Sequence, residues 1–177
     1  MTEALLADPL AGWIASAWLA VLFAHAAVAK WGDLALFEQH LAAYHLPDAL
    51  RTVLLRTLPA LELVTAAALL SPWRGAGAAL AAALLLAYAA AMAWHLARGL
   101  ALDCGCGGEP LPVSWALVAR NAALALLAGV AATPHAERAL GLGDFAVVAA
   151  SVPLAALLYA AFNELLRHQV GVRMRRI

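Results

Sequence analysis

Five long apolar stretches constrain the fold of this chain more than any other feature. They run approximately over residues 11–29, 53–70, 77–97, 113–131 and 145–162. A helix of about 20 apolar residues crosses the hydrocarbon core of a bilayer, which is about 30 Å thick. Glycine, proline and polar residues separate the stretches, as expected of turns. We therefore predict an all-α integral membrane protein with about five transmembrane helices.

The composition excludes two other classes of protein. Hydrophobic residues make up 66% of the chain and charged residues 12%, and the mean hydropathy is +0.85. Soluble domains are roughly half apolar and one quarter charged, so a soluble single domain is excluded. The 11 basic and 11 acidic residues leave no net charge, which argues against a nucleic-acid partner.

The first four stretches are predicted to form a compact four-helix bundle over residues 1–131, with a loop at residues 98–112. Residues 132–177 would then hold the fifth span and a basic tail. Small residues that share a helix face allow close packing of helices. We expect such a face in the third stretch, where alanines recur at every fourth position: Ala79, Ala83, Ala87 and Ala91.

The first span is expected to remain as an anchor. Glu3 and Asp8 precede it without the basic residues of a signal peptide. Arginines concentrate after the last span, which places the C-terminus in the cytoplasm by the positive-inside rule. Five spans then place the loop at residues 98–112 on the cytoplasmic side, and a different number of spans would reverse this.

The loop at residues 98–112 holds both cysteines of the chain, Cys104 and Cys106, with Gly105 between them. A disulfide across one residue closes a small, strained ring, and strained disulfides exchange readily. We interpret the pair as catalytic thiols of a candidate thiol-disulfide oxidoreductase. Two alternatives stay open: a site for a soft metal ion such as Cu(I) or Hg(II), or two reduced thiols in a turn.

Ionisable residues inside the spans are candidates for function, because charge is costly in hydrocarbon. Glu62 lies near the middle of the second span and must be protonated or paired. We expect Lys30 or Arg120 to be its partner. Asn121 lies beside Arg120 in the fourth span. A polar clamp between helices remains the alternative to a functional role.

Three further residues are supporting candidates. His25 lies in the first span, where we expect a neutral imidazole bonded to a neighbouring helix. A haem between His25 and His95 is an alternative that their spacing does not require. Arg98 begins the cysteine loop, where a cation favours the reactive thiolate, whereas Asp103 and Glu109 in the same loop would oppose it.

Three groups of residues lie in order along roughly the first 130 residues: 29–33 with Phe37, then 44–47 with 58–62, and finally Arg98-Gly99, the cysteine pair with Gly108, and Arg120-Asn121. Together they resemble the MauE family of methylamine utilisation proteins, which is related to DoxX-like membrane proteins. The family's usual C-x-C-F-G motif is altered, because Gly107 follows Cys106.

The resemblance implies a role in the biogenesis of methylamine dehydrogenase, whose exported small subunit carries many disulfides. It implies a thioredoxin-like partner, MauD, and a multi-pass location in the bacterial inner membrane. Cys104 and Cys106 would carry the electron transfer, with a quinone as the cofactor left open. The competing functions are transport of a soft metal, with Glu62 and His25 as further stations, and a non-redox anchor for the thioredoxin-like partner.

Overall fold

The computed structural model describes residues 8–99, 113–133 and 139–174. This part of the chain consists of six α-helices: α1 Pro9–Gly32, α2 Leu34–Ala43, α3 Asp48–Leu69, α4 Arg74–Ala97, α5 Trp115–Ala132 and α6 Leu142–Met174. All except α2 are long and apolar enough to cross a membrane, α6 over Leu142–Leu166. The predicted all-α membrane protein with five spans is confirmed.

Helix α2 was not predicted. Asp33 ends α1 and also caps α2, because its side chain accepts a hydrogen bond from the Leu36 amide at 2.9 Å. The helix is amphipathic, with Phe37 and Leu41 buried and Glu38 exposed. It is too short to span a bilayer, and its buried side anchors it to the bundle.

Helices α1, α3, α4 and α5 form a closed ring. Both α1 and α4 pack against α3 and also against α5, so the order around the bundle is α1, α3, α4, α5. The ring encloses one core that includes Leu19, Phe23, Leu69, Leu85 and Leu124. This is the compact bundle of four spans that we expected. Helix α6 packs against α1, and its apolar window has no buried residue.

The predicted alanine face of α4 is wrong. Ala79, Ala83 and Ala87 are exposed and Ala91 is half-buried. A four-residue repeat drifts by about 40° per step around a helix with 3.6 residues per turn. The buried side lies on another face of α4, which combines small and large residues: Gly77, Ala78, Ala81 and Ala89 with Leu84, Leu85, Met92 and His95.

Exposed tryptophans mark the two ends of the bundle. Trp94 and Trp115 lie at one end, which we call the Trp94 end, and Trp73 lies at the other. Tryptophan prefers the interface between membrane and water. From Arg74 to Trp94, α4 rises about 30 Å at 1.5 Å per residue, which matches the hydrocarbon thickness. The middle of the membrane therefore lies near Leu84, and the cysteine loop follows the Trp94 end of α4.

Candidate functional site

Cys104 and Cys106 lie outside the described residues, as does the rest of their loop from residue 100 to residue 112. The structure does describe the residues that lead into and out of that loop: Arg98 and Gly99 after α4, and Val113 before α5. It also describes the polar residues that we singled out in the spans. Three of the spans contribute to one buried cluster.

The cluster consists of Lys30, Glu62 and Tyr88. The Lys30 ammonium donates to Glu62 Oε1 at 2.8 Å and to Oε2 at 2.9 Å. The Tyr88 hydroxyl donates to Glu62 Oε1 at 2.7 Å. Glu62 is fully buried and Lys30 is 6% exposed. The structure therefore joins α1, α3 and α4 through one carboxylate, and pairs Glu62 with Lys30.

The Lys30 side chain points into the bundle and away from the nearby membrane interface. Lysines near the end of a span usually extend toward the interface, where water solvates the ammonium. Lys30 lies near the end of α1, yet its side chain folds back along the helix to within 3.5 Å of the Ala26 carbonyl. Its Nζ lies 5.7 Å from the Phe37 ring centroid and 5.9 Å from that of Tyr88. Glu62 and the two rings together replace the water that Lys30 has left.

Helix α2 covers the polar interior at the Trp94 end. Phe37 lies near the ammonium of Lys30, and Tyr44 meets the His95 ring edge-on with centroids 4.4 Å apart. His95 Nδ1 is 3.0 Å from the Ala91 carbonyl. Because a carbonyl only accepts, Nδ1 carries the proton. Burial raises the pKa of the Tyr44 phenol, so this hydroxyl stays protonated at neutral pH.

Arg120 does not pair with Glu62. Its Nη1 donates to Asn163 Oδ1 at 2.7 Å, and its guanidinium lies 5.0 Å from the Tyr159 ring centroid. Asn163 and Tyr159 both belong to α6. Arg120 therefore ties α6 to the bundle, and the alternative prediction that it neutralises Glu62 is wrong.

Asn121 and Ser16 are buried polar residues with unused hydrogen-bonding atoms. Asn121 is 3% exposed and Ser16 is fully buried. Among the described residues, neither Asn121 Nδ2 nor Ser16 Oγ has a hydrogen-bond partner. Buried polar groups are nearly always paired, so each of these atoms needs an explanation.

His25 and Arg98 are both exposed. The expected hydrogen bond from His25 to a neighbouring helix is absent from the described residues. His95, in contrast, is buried, so the two histidines differ in their surroundings. Arg98 stacks on Trp94, with its guanidinium carbon 4.2 Å from the ring centroid.

Sequence reasoning missed Tyr88, Asn163 and the Tyr44–His95 contact. One signal was present for Tyr88, because a tyrosine in an alanine-rich span needs a partner for its hydroxyl. A buried carboxylate is a strong candidate for that partner. Asn163 carried a similar signal near the end of the last span. The contact between Tyr44 and His95 depends on helix α2, which was not predicted.

The described cluster has the chemistry of an ion pair. Within residues 8–99, 113–133 and 139–174, no three histidine, cysteine or acidic side chains come together to hold a metal ion. Glu62 is engaged by a cation and a hydroxyl donor. Its arrangement suits the joining of helices.

Comparisons with known proteins agree with the resemblance in the sequence. A family model described as "Methylamine utilisation protein MauE" matches residues 8–134. The MauE protein of Paracoccus denitrificans is 39% identical over 133 residues, which are 72% of each chain. That of Paracoccus versutus is 39% identical over 163 residues, covering 89% of this chain and 88% of the relative.

A third relative, the MauE protein of Methylorubrum extorquens, is 36% identical over 179 residues, covering 98% of this chain and 96% of the relative. No solved structure matches. The family match covers the whole bundle, the cysteine loop and the polar cluster. The chain therefore belongs to the MauE family of methylamine utilisation proteins.

Proposed function

We propose that this protein carries out thiol-disulfide exchange in the bacterial inner membrane and is needed for the maturation of methylamine dehydrogenase. Cys104 and Cys106 would be the reacting thiols, and a thioredoxin-like protein, MauD, the partner. The observation that carries the proposal is the family match over residues 8–134, which includes both cysteines of a chain that has no others.

The exchange is balanced without any further reagent. One thiolate of the pair attacks a disulfide of the partner and forms a mixed disulfide, and a partner thiolate leaves. The second thiolate of the pair then attacks the first cysteine's sulfur in the mixed disulfide. This step closes the Cys104–Cys106 disulfide and releases the partner as a dithiol. Two electrons pass to the partner, and the two thiol protons pass to its two leaving sulfurs. The reverse sequence reduces Cys104–Cys106.

A quinone is the alternative acceptor for the two electrons. In that version the dithiol becomes a disulfide, and the quinone takes two electrons and two protons to become a quinol. The thioredoxin-like partner then receives oxidising equivalents from the pair. Both versions use the same two sulfurs.

The packing of the helices around the loop supports a reactive pair at the Trp94 end. Helices α4 and α5, which flank the loop, pack along each other. The Lys30–Glu62 ion pair and Tyr88 hold α4 to α1 and α3. Arg98 is exposed immediately before the loop, and a nearby cation favours the thiolate that exchange requires.

The test replaces each cysteine separately. Cys104→Ser and Cys106→Ser are each expected to abolish maturation of methylamine dehydrogenase, while the amount of membrane protein stays at the wild-type level. A single remaining thiol traps the mixed disulfide, so one of the two variants is expected to carry the partner on a non-reducing gel. Ser114→Ala, a change outside the pair, is the control and is expected to mature the enzyme normally.

Three outcomes would contradict the exchange mechanism. Normal maturation in both single variants would remove the redox role. Normal maturation together with MauD capture by the double serine variant would identify a non-redox anchor. Stoichiometric copper or mercury that is lost in the serine variants would identify a metal site. Labelling with a membrane-impermeant thiol reagent, in cells and in inverted vesicles, reports the side on which the pair reacts.

A further inference from the structure

Each helix of the four-helix ring places one polar side chain at a shared level. Lys30 of α1, Glu62 of α3 and Tyr88 of α4 are joined by hydrogen bonds. The fourth residue is Asn121 of α5, which is also buried. We call these four residues the polar layer.

The packing of α4 against α5 gives the level of Asn121. Met92 of α4 and Leu117 of α5 belong to one buried cluster. Tyr88 lies one helical turn before Met92, and Asn121 lies one turn after Leu117. Because the two helices are consecutive spans that run in opposite directions, these steps lead to the same level.

A second pair of layers agrees with this register. Leu85 of α4 and Leu124 of α5 lie in the other core cluster, together with Ala81 and Ala128. Leu85 and Ala81 precede Tyr88 by the same numbers of residues by which Leu124 and Ala128 follow Asn121. Asn121 therefore faces the interior at the level of Tyr88.

The polar layer lies close to the middle of the membrane. The Cα atom of Tyr88 is about 6 Å along α4 from Leu84, at 1.5 Å per residue. Side chains in a helix tilt toward its N-terminus, which brings the Tyr88 hydroxyl nearer still to the middle. Water is scarce at that depth, so every polar atom there needs a partner within the bundle.

Asn121 is the member of the layer whose hydrogen bonds are incomplete. The carboxylate of Glu62 accepts three hydrogen bonds, two from Lys30 and one from Tyr88. Asn121 Nδ2 carries two donors, and in the described part of the chain neither reaches an acceptor. A buried donor without an acceptor destabilises the folded state.

We propose that the polar layer is a binding site for a neutral molecule that presents a hydrogen-bond-accepting oxygen to Asn121 Nδ2. Four-helix bundles build ligand sites from side chains on facing helices. The charges of Lys30 and Glu62 cancel, so the layer favours a neutral occupant. A water molecule and the carbonyl group of a membrane-soluble compound offer the same oxygen chemistry. This site is independent of the thiol chemistry of Cys104 and Cys106.

Asn121→Leu tests the site, because leucine has a similar volume and no amide. An occupied site predicts a lower Tm for this variant in detergent, since the oxygen loses its donor. Thr65→Val is the matched control, as it removes a buried hydroxyl whose hydrogen bond, to the Leu61 carbonyl at 2.7 Å, stays within α3. Its Tm is expected to be unchanged or higher. An equal or higher Tm for Asn121→Leu would overturn the proposal.

A direct measurement on the wild-type protein identifies the source of the oxygen and does not depend on the folding of a variant. Bound water is expected to give an infrared O–H band that shifts in H₂¹⁸O and is missing in Asn121→Leu. A carbonyl compound is expected in a solvent extract of the purified protein at about one molecule per chain, and is reduced in the variant. Absence of both signals from the wild-type protein would overturn the proposal.

Discussion

Removing one partner of the Lys30–Glu62 pair is expected to destabilise the bundle strongly. Both side chains are buried, and two hydrogen bonds of 2.8 and 2.9 Å join them. Two unit charges about 4 Å apart attract by about 4 kcal/mol at an effective dielectric constant of about 20. Leaving one buried charge unpaired costs about 3–5 kcal/mol in known cases. We therefore expect losses of this size for Glu62→Gln and for Lys30→Met.

The two single variants are expected to differ in a direction that the structure predicts. After Glu62→Gln, Lys30 can turn its ammonium toward the nearby interface, because it lies in the last turn of α1. After Lys30→Met, the carboxylate of Glu62 remains fully buried near the middle of the membrane. The loss is thus expected near 3 kcal/mol for Glu62→Gln and near 5 kcal/mol for Lys30→Met, at the two ends of the range of about 3–5 kcal/mol.

The double variant Lys30→Met/Glu62→Gln removes both charges and keeps an acceptor for the Tyr88 hydroxyl, so its loss is expected at about 1–3 kcal/mol, well below the sum of the two single losses. Unfolding in mixed micelles, followed by the fluorescence of the six tryptophans, measures each change. Arg51→Ala is the control, because Arg51 is partly exposed and lies 3.9 Å from exposed Glu38; it is expected to cost about 0–1 kcal/mol. Single variants as stable as Arg51→Ala, or additive losses in the double variant, would refute the reasoning.

Two further changes test the packing at the two ends of the bundle. Gly77→Ala is expected to cost about 1–3 kcal/mol, because the added Cβ would lie 2.7 Å from Leu69 N and 2.8 Å from the Ala68 carbonyl carbon. Gly75→Ala, with no atom within 4 Å, is expected to be neutral or stabilising in the same titration, and equal effects would contradict this. Burial raises the pKa of the Tyr44 phenol above its ordinary value of 10.0, so the stability that it contributes is present below that pH and is lost above it. Tm is therefore expected to fall more steeply above about pH 10 in the wild-type protein than in Tyr44→Phe, and equal slopes would contradict this.

The spans were predictable because bilayer thickness sets the length of apolar sequence that a helix needs. The predicted stretch at residues 53–70 corresponds to α3 at Asp48–Leu69, whose first turns carry charged residues that hydropathy leaves out. Helix α2 was not predictable from the same principle. It is too short to cross the membrane, and two buried residues, Phe37 and Leu41, anchor it to the other helices.

The candidate site was predictable in part for a related reason. Sequence gives the depth of a residue in the membrane, and a carboxylate at the depth of Glu62 requires a cation. Sequence does not give the direction in which each helix faces. For that reason Lys30 and Arg120 were equal candidates until the packing placed Arg120 beside Asn163. The donor Tyr88 was missed because its role depends on α4 facing α3.

The charges inside the bundle and those at its end have different consequences for the proposed chemistry. Lys30 and Glu62 neutralise each other and fix the relative positions of α1, α3 and α4. Arg98 is exposed next to the cysteine loop, where a cation favours thiolate. Changes in the ion pair should therefore lower maturation only in proportion to the loss of folded protein. Changes in Cys104 or Cys106 should abolish maturation while stability is unaltered. This difference distinguishes the residues that stabilise the bundle from those that react.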